Sequence, residues 1–211
     1  MKVKLFSTDE YIKKNEVINK INSRPYNDED GFGFVVQDNA LDGCKVQYIE
    51  KNTLERQIET PLGDVSIIQE VTYYKFQFVL RYDSLNSLVF INPPRNMKYA
   101  SDIVRSIMPE NVHVTSLNVD LKEKIEELKH KFQAKLKCAT LSNIFYDNNT
   151  QAKTKLSSTG DLYDFYSENF KRTIAKVDVI VFDINGRVFE LSDSGRINTQ
   201  GDSLADVFNF I

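Results

Sequence analysis

The longest strand pattern of this chain runs from Val65 to Tyr82, where β-branched and aromatic residues dominate. Such residues favour a pleated strand, in which successive side chains point to opposite faces. In the first half of this segment, the apolar residues Val71 and Tyr73 have odd numbers and therefore point to one face. In the second half, Phe76, Phe78 and Leu80 have even numbers and point to the other face. We therefore predict that the buried face changes near Tyr74 through a β-bulge.

Further strand patterns lie on both sides of this segment and are separated by short turns. They cover residues 32–37, 44–60, 88–91, 112–120, 139–146, a polar strand through Lys155, 172–183 and 187–191. A turn at 60–64, Thr-Pro-Leu-Gly-Asp, connects the second of these to the longest strand. Strands joined by short turns pair with each other, so we predict mainly antiparallel sheets.

Helical periodicity marks the remaining segments. The predicted helices cover the opening residues to about Asn22, then 96–109, 120–138, 162–170 and 203–210. The clearest begins with Asp120 as N-cap and carries one apolar stripe to about Cys138. Together these patterns predict an α+β fold with three to five helices, arranged as one domain or two closely packed lobes. The lobes would be a strand-rich 1–119 and a helix plus antiparallel meander at 120–211.

Composition narrows the class of protein. The chain has 211 residues, of which 41% are hydrophobic, so it can bury a core and is not compositionally disordered. A net charge of −3 excludes a globally basic coat protein for nucleic acid. The two cysteines, Cys44 and Cys138, are too far apart in sequence to indicate a zinc site or a disulfide framework. A charged N-terminus and the lack of a long apolar run predict a cytoplasmic protein without membrane contact. The abundance of Asn and Lys over Arg favours a prokaryotic or phage source.

An apolar strand at 179–184 leads into the most suggestive motif, Asp183-Ile184-Asn185-Gly186. The motif resembles the nucleophile loop of haloacid dehalogenases, in which a second acid two residues after the catalytic Asp handles the proton. Asn185 occupies that second position and cannot act as an acid. We therefore interpret Asn185-Gly186 as the type I′ turn of a β-hairpin.

No other pattern indicates chemistry. Only His113 and His130 are available as imidazole bases, neither cysteine lies in a glycine-flanked elbow, and the glycine-rich segments lack both phosphate-loop patterns. We predict no cofactor and no metal, and we expect that the chain is not an enzyme. The alternative is an enzyme whose active site is assembled from residues that are distant in sequence. A pocket lined by several of the following five residues would indicate such a site: Asp120, Glu123, His113, Asp178 and Glu190.

Charge is distributed unevenly along the chain. Residues 121–176 contain eleven basic and seven acidic residues, whereas 177–211 contain two basic and six acidic. Lysines of the 120–138 helix could line a track of phosphates or simply keep the helix soluble. The candidate nucleic-acid contacts are Lys124, Lys129, Lys131, Lys135, Lys137 and Arg95.

The last eight residues crowd apolar side chains together, so this end must dock on the chain's own core or on a partner. The candidate partner contacts are Leu204, Val207, Phe208, Phe210 and Ile211. Our leading hypothesis is a non-enzymatic interaction or adaptor subunit of a larger prokaryotic cytoplasmic assembly, with protein association or self-association. The alternatives are a nucleic-acid-binding accessory protein that uses the lysine-rich helix, and an enzyme whose site is dispersed in sequence.

Overall fold

The computed structural model describes residues 1–40, 42–59, 61–63, 65–82, 84–85, 87–145, 150–201 and 204–208. It confirms an α+β fold with antiparallel strand pairing. The strands are β1 (Lys2–Thr8), β2 (Phe32–Asn39), β3 (Gly43–Glu59), β4 (Val65–Arg81), β5 (Leu88–Ile91), β6 (Val114–Ser116), β7 (Lys135–Phe145), β8 (Gln151–Ser157), β9 (Lys176–Ile184), β10 (Arg187–Ser192) and β11 (Arg196–Thr199). The helices are α1 (Lys14–Asn22), α2 (Met97–Ile107), α3 (Leu121–Phe132), α4 (Tyr163–Asn169) and α5 (Leu204–Phe208).

The chain divides into two compact units. We name Ser7–Thr115 the N-terminal unit, and Met1–Phe6 with Ser116–Ile211 the C-terminal unit. The prediction of two lobes, 1–119 and 120–211, stays a prediction. In the described part of the chain, no helix has the length and apolar character needed to cross a membrane.

The N-terminal unit is built on an antiparallel sheet with the strand order β2-β3-β4-β5. One face of this sheet is aromatic at its centre, where Phe78 is completely buried between Phe76 and Phe90. Helix α1 contributes Val17 and Ile21 to the buried residues of the unit. Helix α2 begins where the Asn96 side chain accepts a hydrogen bond from the backbone of Tyr99, and it buries an apolar stripe.

The C-terminal unit is built on strands in the order β1-β11-β10-β9-β7-β8. Helix α3 packs on β7 and β9 through the stripe that the sequence predicts, and its buried residues are Leu121, Ile125 and Leu128. The Asp120 side chain caps this helix by accepting hydrogen bonds from the backbone of Lys122 and Glu123. The β9–β10 hairpin has the predicted turn, since Asn185 and Gly186 have φ angles of 52° and 81°. Positive values at both central positions define a type I′ turn.

The predicted bulge near Tyr74 is wrong. Strands β3 and β4 pair in one unbroken register from Gly43 opposite Arg81 to Glu59 opposite Val65. The buried face does not change sides. Instead, the ribbon leaves the core, so that Val71 and Tyr73 are exposed although their parity differs from that of the buried residues.

Two helix predictions also need correction. The opening residues contain β1 before α1, because Val3 and Leu5 alternate with lysines and are buried as a strand. Helix α3 ends at Phe132, since Gln133 adopts a left-handed conformation with φ of 52°. The residues that follow enter β7, where Leu136 packs by strand alternation although it also fits the helical stripe.

Gly33 is required by a close approach of two backbone segments. A Cβ at this position would lie 2.6 Å from the carbonyl carbon and oxygen of Pro25 and from the Cα of Tyr26. We expect Gly33→Ala to lower the free energy of unfolding by about 3 kcal/mol, because backbone atoms cannot move aside without disturbing their hydrogen bonds. Gly160→Ala is the control, since its nearest neighbour would be Ser158 Oγ at 3.7 Å. Urea unfolding of both variants checks this, and equal stabilities would contradict it.

Candidate protein-interaction surface

The outer half of the β3–β4 ribbon is exposed on both faces. Every described residue in 52–59 and 65–73 is exposed, and so are the turn residues Pro61–Gly63. We name residues 52–59 and 65–73, with this turn, the β-arm. Residues 60 and 64 of the predicted turn lie outside the described residues.

The arm protrudes because the strands that flank the ribbon, β2 and β5, end before the arm begins. Strand β2 pairs with β3 only as far as Glu50, and β5 pairs with β4 only over Gln77–Leu80. The inner half of the ribbon is held by core aromatics, such as the Tyr48 and Phe76 rings, whose centroids are 5.2 Å apart. Beyond that point the ribbon has two strands, and among the described residues neither of its edges pairs with a third strand. At the base of the arm, the Tyr26 side chain forms a hydrogen bond with Tyr73.

Both faces of the arm carry large apolar side chains. On one face, β4 presents four of them, two on each side of Gln69: Val65, Ile67, Val71 and Tyr73. On the other face, three come together from both strands: Leu54, Ile58 and Ile68. Ile67 is 66% exposed and Leu62 at the tip is 92% exposed. An isolated two-stranded ribbon is marginally stable in water, and an exposed apolar strand edge favours association.

A polar clamp anchors the base of the arm to helix α2. Tyr99 of that helix donates a hydrogen bond to Glu50 Oε2 at 2.5 Å, and Tyr48 donates to the same oxygen at 3.2 Å. The hydrogen bond to Glu50 raises the pKa of Tyr99 above its usual value. The Tyr74 ring lies 5.6 Å from the Tyr99 ring between centroids. This clamp restrains the ribbon at the point where it leaves the core.

Two polar pairs link the strands of the arm, which carries the charged residues Glu55, Arg56, Glu59 and Glu70. Arg56 lies 3.4 Å from Glu70 across the strands, and Gln69 donates a hydrogen bond of 2.8 Å to Glu55. Exposed pairs of this kind contribute well under about 1 kcal/mol. With one arginine and three glutamates, the described residues of the arm carry a net charge of −2 beside their apolar side chains.

The α3 lysines expected to contact nucleic acid are held by carboxylates of the C-terminal unit. Lys124 and Lys131 both pair with Glu127, at 2.7 and 3.0 Å. The hydrogen bond from Lys124 holds the pKa of Glu127 below its usual value, so the carboxylate stays ionised at neutral pH. Lys129 lies 2.7 Å from Asp161. A phosphate would have to compete with these pairs.

The remaining candidates for nucleic-acid binding do not lie on α3. Lys135 and Lys137 belong to β7, because the helix ends before them. Lys137 donates to the carbonyl oxygens of residues 159 and 160 at 2.9 and 2.8 Å, whereas Lys135 is exposed. Arg95 is also exposed, but it belongs to the N-terminal unit. The predicted nucleic-acid surface stays a prediction.

The C-terminal residues proposed to contact a partner lie partly on α5. Val207 is fully buried at 0% exposure, so it packs within the chain itself. Leu204 and Phe208 are half-buried. Phe210 and Ile211 lie outside the described residues. A partner contact through this segment stays a prediction.

One alternative hypothesis is an enzyme whose site is assembled from residues distant in sequence. The cavity beneath α3 does not bring those residues together. This cavity has a volume of about 10 Å³, which is room for about one water molecule. Its lining is apolar except for Lys129 and Tyr163, and it includes none of the five residues that would indicate such a site. Among the described residues, no group of three or more His, Cys, Asp or Glu side chains could hold a metal.

No protein-family model matches this chain, and no curated protein matches it. Sequence reasoning missed the β-arm, although the parity change between Val71 and Phe76 was its signal. A strand with apolar residues on both parities has two faces to cover, and a single core covers only one.

Asp161 connects three elements of the C-terminal unit. Its Oδ1 accepts hydrogen bonds from the backbone of Leu136 and Tyr163, both at 3.0 Å, and its Oδ2 accepts from Lys129 at 2.7 Å. Burial alone would raise its pKa, but the hydrogen bonds from Lys129 and these backbone groups outweigh burial and hold the pKa below its usual 3.8. A carboxylate with a lowered folded pKa stabilises the fold above its unfolded pKa and loses that contribution as pH falls through the folded value.

We therefore expect Asp161→Asn to lower the free energy of unfolding by about 1 kcal/mol at neutral pH. The difference from the natural chain should disappear once the pH is well below the lowered pKa of Asp161, where both side chains are uncharged. Urea unfolding at neutral and acidic pH measures this. The control is Glu168→Gln, an exposed carboxylate nearer the end of α4, which should change stability little at either pH. A pH-independent loss in Asp161→Asn would show that charge is not the cause.

Proposed function

We propose that this chain is a non-enzymatic interaction subunit of a larger prokaryotic cytoplasmic assembly, and that the β-arm makes its contact with protein. The single observation that carries the proposal is the exposure of large apolar side chains on both faces of a two-stranded ribbon. Burying one such side chain contributes about 1 kcal/mol or more when it is half-exposed at the start. A partner that covers the arm therefore gains several such contributions.

The geometry of the arm favours protein over a polyanion as its partner. The arm carries a single basic side chain, Arg56, and that side chain is paired with Glu70. A phosphate backbone is recognised by unpaired Lys and Arg side chains. Strand edges and apolar rows are instead recognised by protein backbone and apolar pockets. The assignment to a prokaryotic assembly rests on composition, and the interaction role rests on the arm.

Photo-crosslinking in cells tests this function. A photoreactive residue in place of Leu62, at the tip of the arm, should give protein adducts of discrete mass. The matched control is Ile174, an isoleucine that is 78% exposed in the C-terminal unit outside the arm. Replacing both Ile67 and Val71 by Thr should lower the adduct yield about tenfold, because two apolar contacts are lost.

The double variant should fold as well as the natural chain, since both side chains are exposed and Thr suits a strand. Circular dichroism and thermal unfolding check that assumption. If Leu62 and Ile174 give the same adducts, or if the double variant leaves the yield unchanged, the arm is not the contact and the proposed function fails.

A further inference from the structure

We infer that a second copy of this chain pairs with the free edge of β4, so that two arms form a four-stranded sheet β3-β4-β4-β3 around a two-fold axis at Gln69. This inference rests on the proposed function, because it names the partner of the same arm. It follows from the direction of the backbone groups, the order of the side chains and the difference between the two edges of the arm.

The backbone groups on the free edge of β4 are identified by hydrogen bonds elsewhere in the ribbon. Lys51 donates its backbone N–H away from β4, to the carbonyl oxygen of Gly31 at 2.6 Å, and Arg81 donates away from β3, to Ser87 at 2.7 Å. Odd-numbered residues of the ribbon therefore turn their N–H and C=O groups outward, because these groups alternate along an antiparallel ladder. On the arm, the outward residues of β4 are Val65, Ile67, Gln69, Val71 and Tyr73.

These outward residues are self-complementary about Gln69. In an antiparallel pair with Gln69 opposite Gln69 of the second copy, Ile67 lies opposite Val71, and Val65 lies opposite Tyr73. Directly opposite residues share one face of the sheet, so the apolar row of each copy continues into the row of the other. Each Gln69 amide donates one N–H to Glu55 of its own copy at 2.8 Å, and its second N–H and its oxygen can pair with the Gln69 amide of the other copy at the axis. The same pairing satisfies the outward backbone groups of both edges.

The β3 edge of the arm does not offer this complementarity. Its outward residues are polar or acidic, including Thr53, Glu55, Gln57 and Glu59. A two-fold pair centred on Glu55 opposes two carboxylates, and one centred on Gln57 opposes Glu55 to Glu59. Pairing β3 of one copy with β4 of another has no two-fold axis and leaves one β3 edge and one β4 edge of each two-copy unit unpaired, so it continues from copy to copy as a ring or an open chain. The closed arrangement through β4 avoids both problems.

The charged residues on the other face of the arm, Arg56 and Glu70, are compatible with this pairing. Glu70 would lie opposite Ile68 of the second copy, with the two Glu70 side chains on a diagonal. Each Glu70 is already paired with Arg56 of its own copy at 3.4 Å. The approach of the two acidic side chains is therefore compensated within each copy.

The oligomeric state of the purified full chain tests the inference. Sedimentation velocity over about a hundredfold range of protein concentration should show a monomer that converts to a dimer. Ile67→Lys and Val71→Glu, each alone, should lower the association constant by about tenfold or more, since each places a charge against an apolar side chain. An equal mixture of these two variants should recover association, because the lysine introduced in one copy then faces the glutamate introduced in the other.

Ile58→Lys is the matched control, because this isoleucine lies on β3 and on the opposite face of the arm. It should leave association unchanged. A second measurement does not depend on charged variants. Gln69→Cys should form a disulfide between two copies under an added oxidant, since opposed residues at the axis have Cα atoms about 5.5 Å apart. Gln57→Cys should not, and the natural cysteines are both buried.

A chain that stays monomeric at every concentration overturns the inference. So does a dimer that survives Ile67→Lys and Val71→Glu, or a mixture that fails to recover. The outcomes separate the inference from the function. If the arm crosslinks in cells to a different protein while the purified chain is monomeric, the second copy is excluded and the interaction role stands. If the arm crosslinks to nothing in cells and the purified chain is also monomeric, both fail.

Discussion

The continuous antiparallel ladder between β3 and β4 is the constraint on which the N-terminal unit depends. One register runs along both strands from Gly43 to Glu59, but the environment changes halfway. Near the core, the ladder is reinforced by aromatic packing around Phe78 and by a third strand on each side. Beyond Glu50, backbone hydrogen bonds between two strands are the main contacts that remain. That contrast makes one half of the ribbon part of the core and the other half an exposed apolar surface.

Such a ribbon is a liability for a chain that acts alone. Unpaired strand edges and exposed aliphatic side chains promote association, and proteins usually blunt them with charges, prolines or bulges. Here the outward residues of the β4 edge over 65–73 include none of these, whereas the β3 edge carries Glu55 and Glu59. The difference between the two edges is consistent with one edge that pairs and one that is protected.

The C-terminal unit uses its charges differently. Its lysines suggest a basic surface when they are counted along the sequence, but in the folded unit several of them make internal contacts. Glu127 holds two of them, and Asp161 holds Lys129 while also binding the backbone of two other elements. The local charge of a segment is therefore a poor guide to its surface, because long side chains reach carboxylates that are distant in sequence.

Local signals in the sequence were sufficient for most elements and for the fold class. Helix caps such as Asp120, the Asn185-Gly186 turn and the apolar periodicities depend on neighbours within a few residues, so they can be read directly. The end of α3 and the strand β1 could not be read in this way. Residues such as Leu136 suit both a helical stripe and a strand, and only the sheet that receives them decides between the two.

The sequence by itself determined an α+β chain of antiparallel hairpins with a buried aromatic strand at its centre. Only the tertiary structure decided that the other half of that strand leaves the core. Odd or even numbering shows which side chains of a strand share a face, but it does not show whether other elements pack on that face. The cover comes from the lengths of β2 and β5, which end before the arm begins. For that reason the apolar residues Ile67 and Val71, which suggest a second buried face in the sequence, form an exposed surface in the fold.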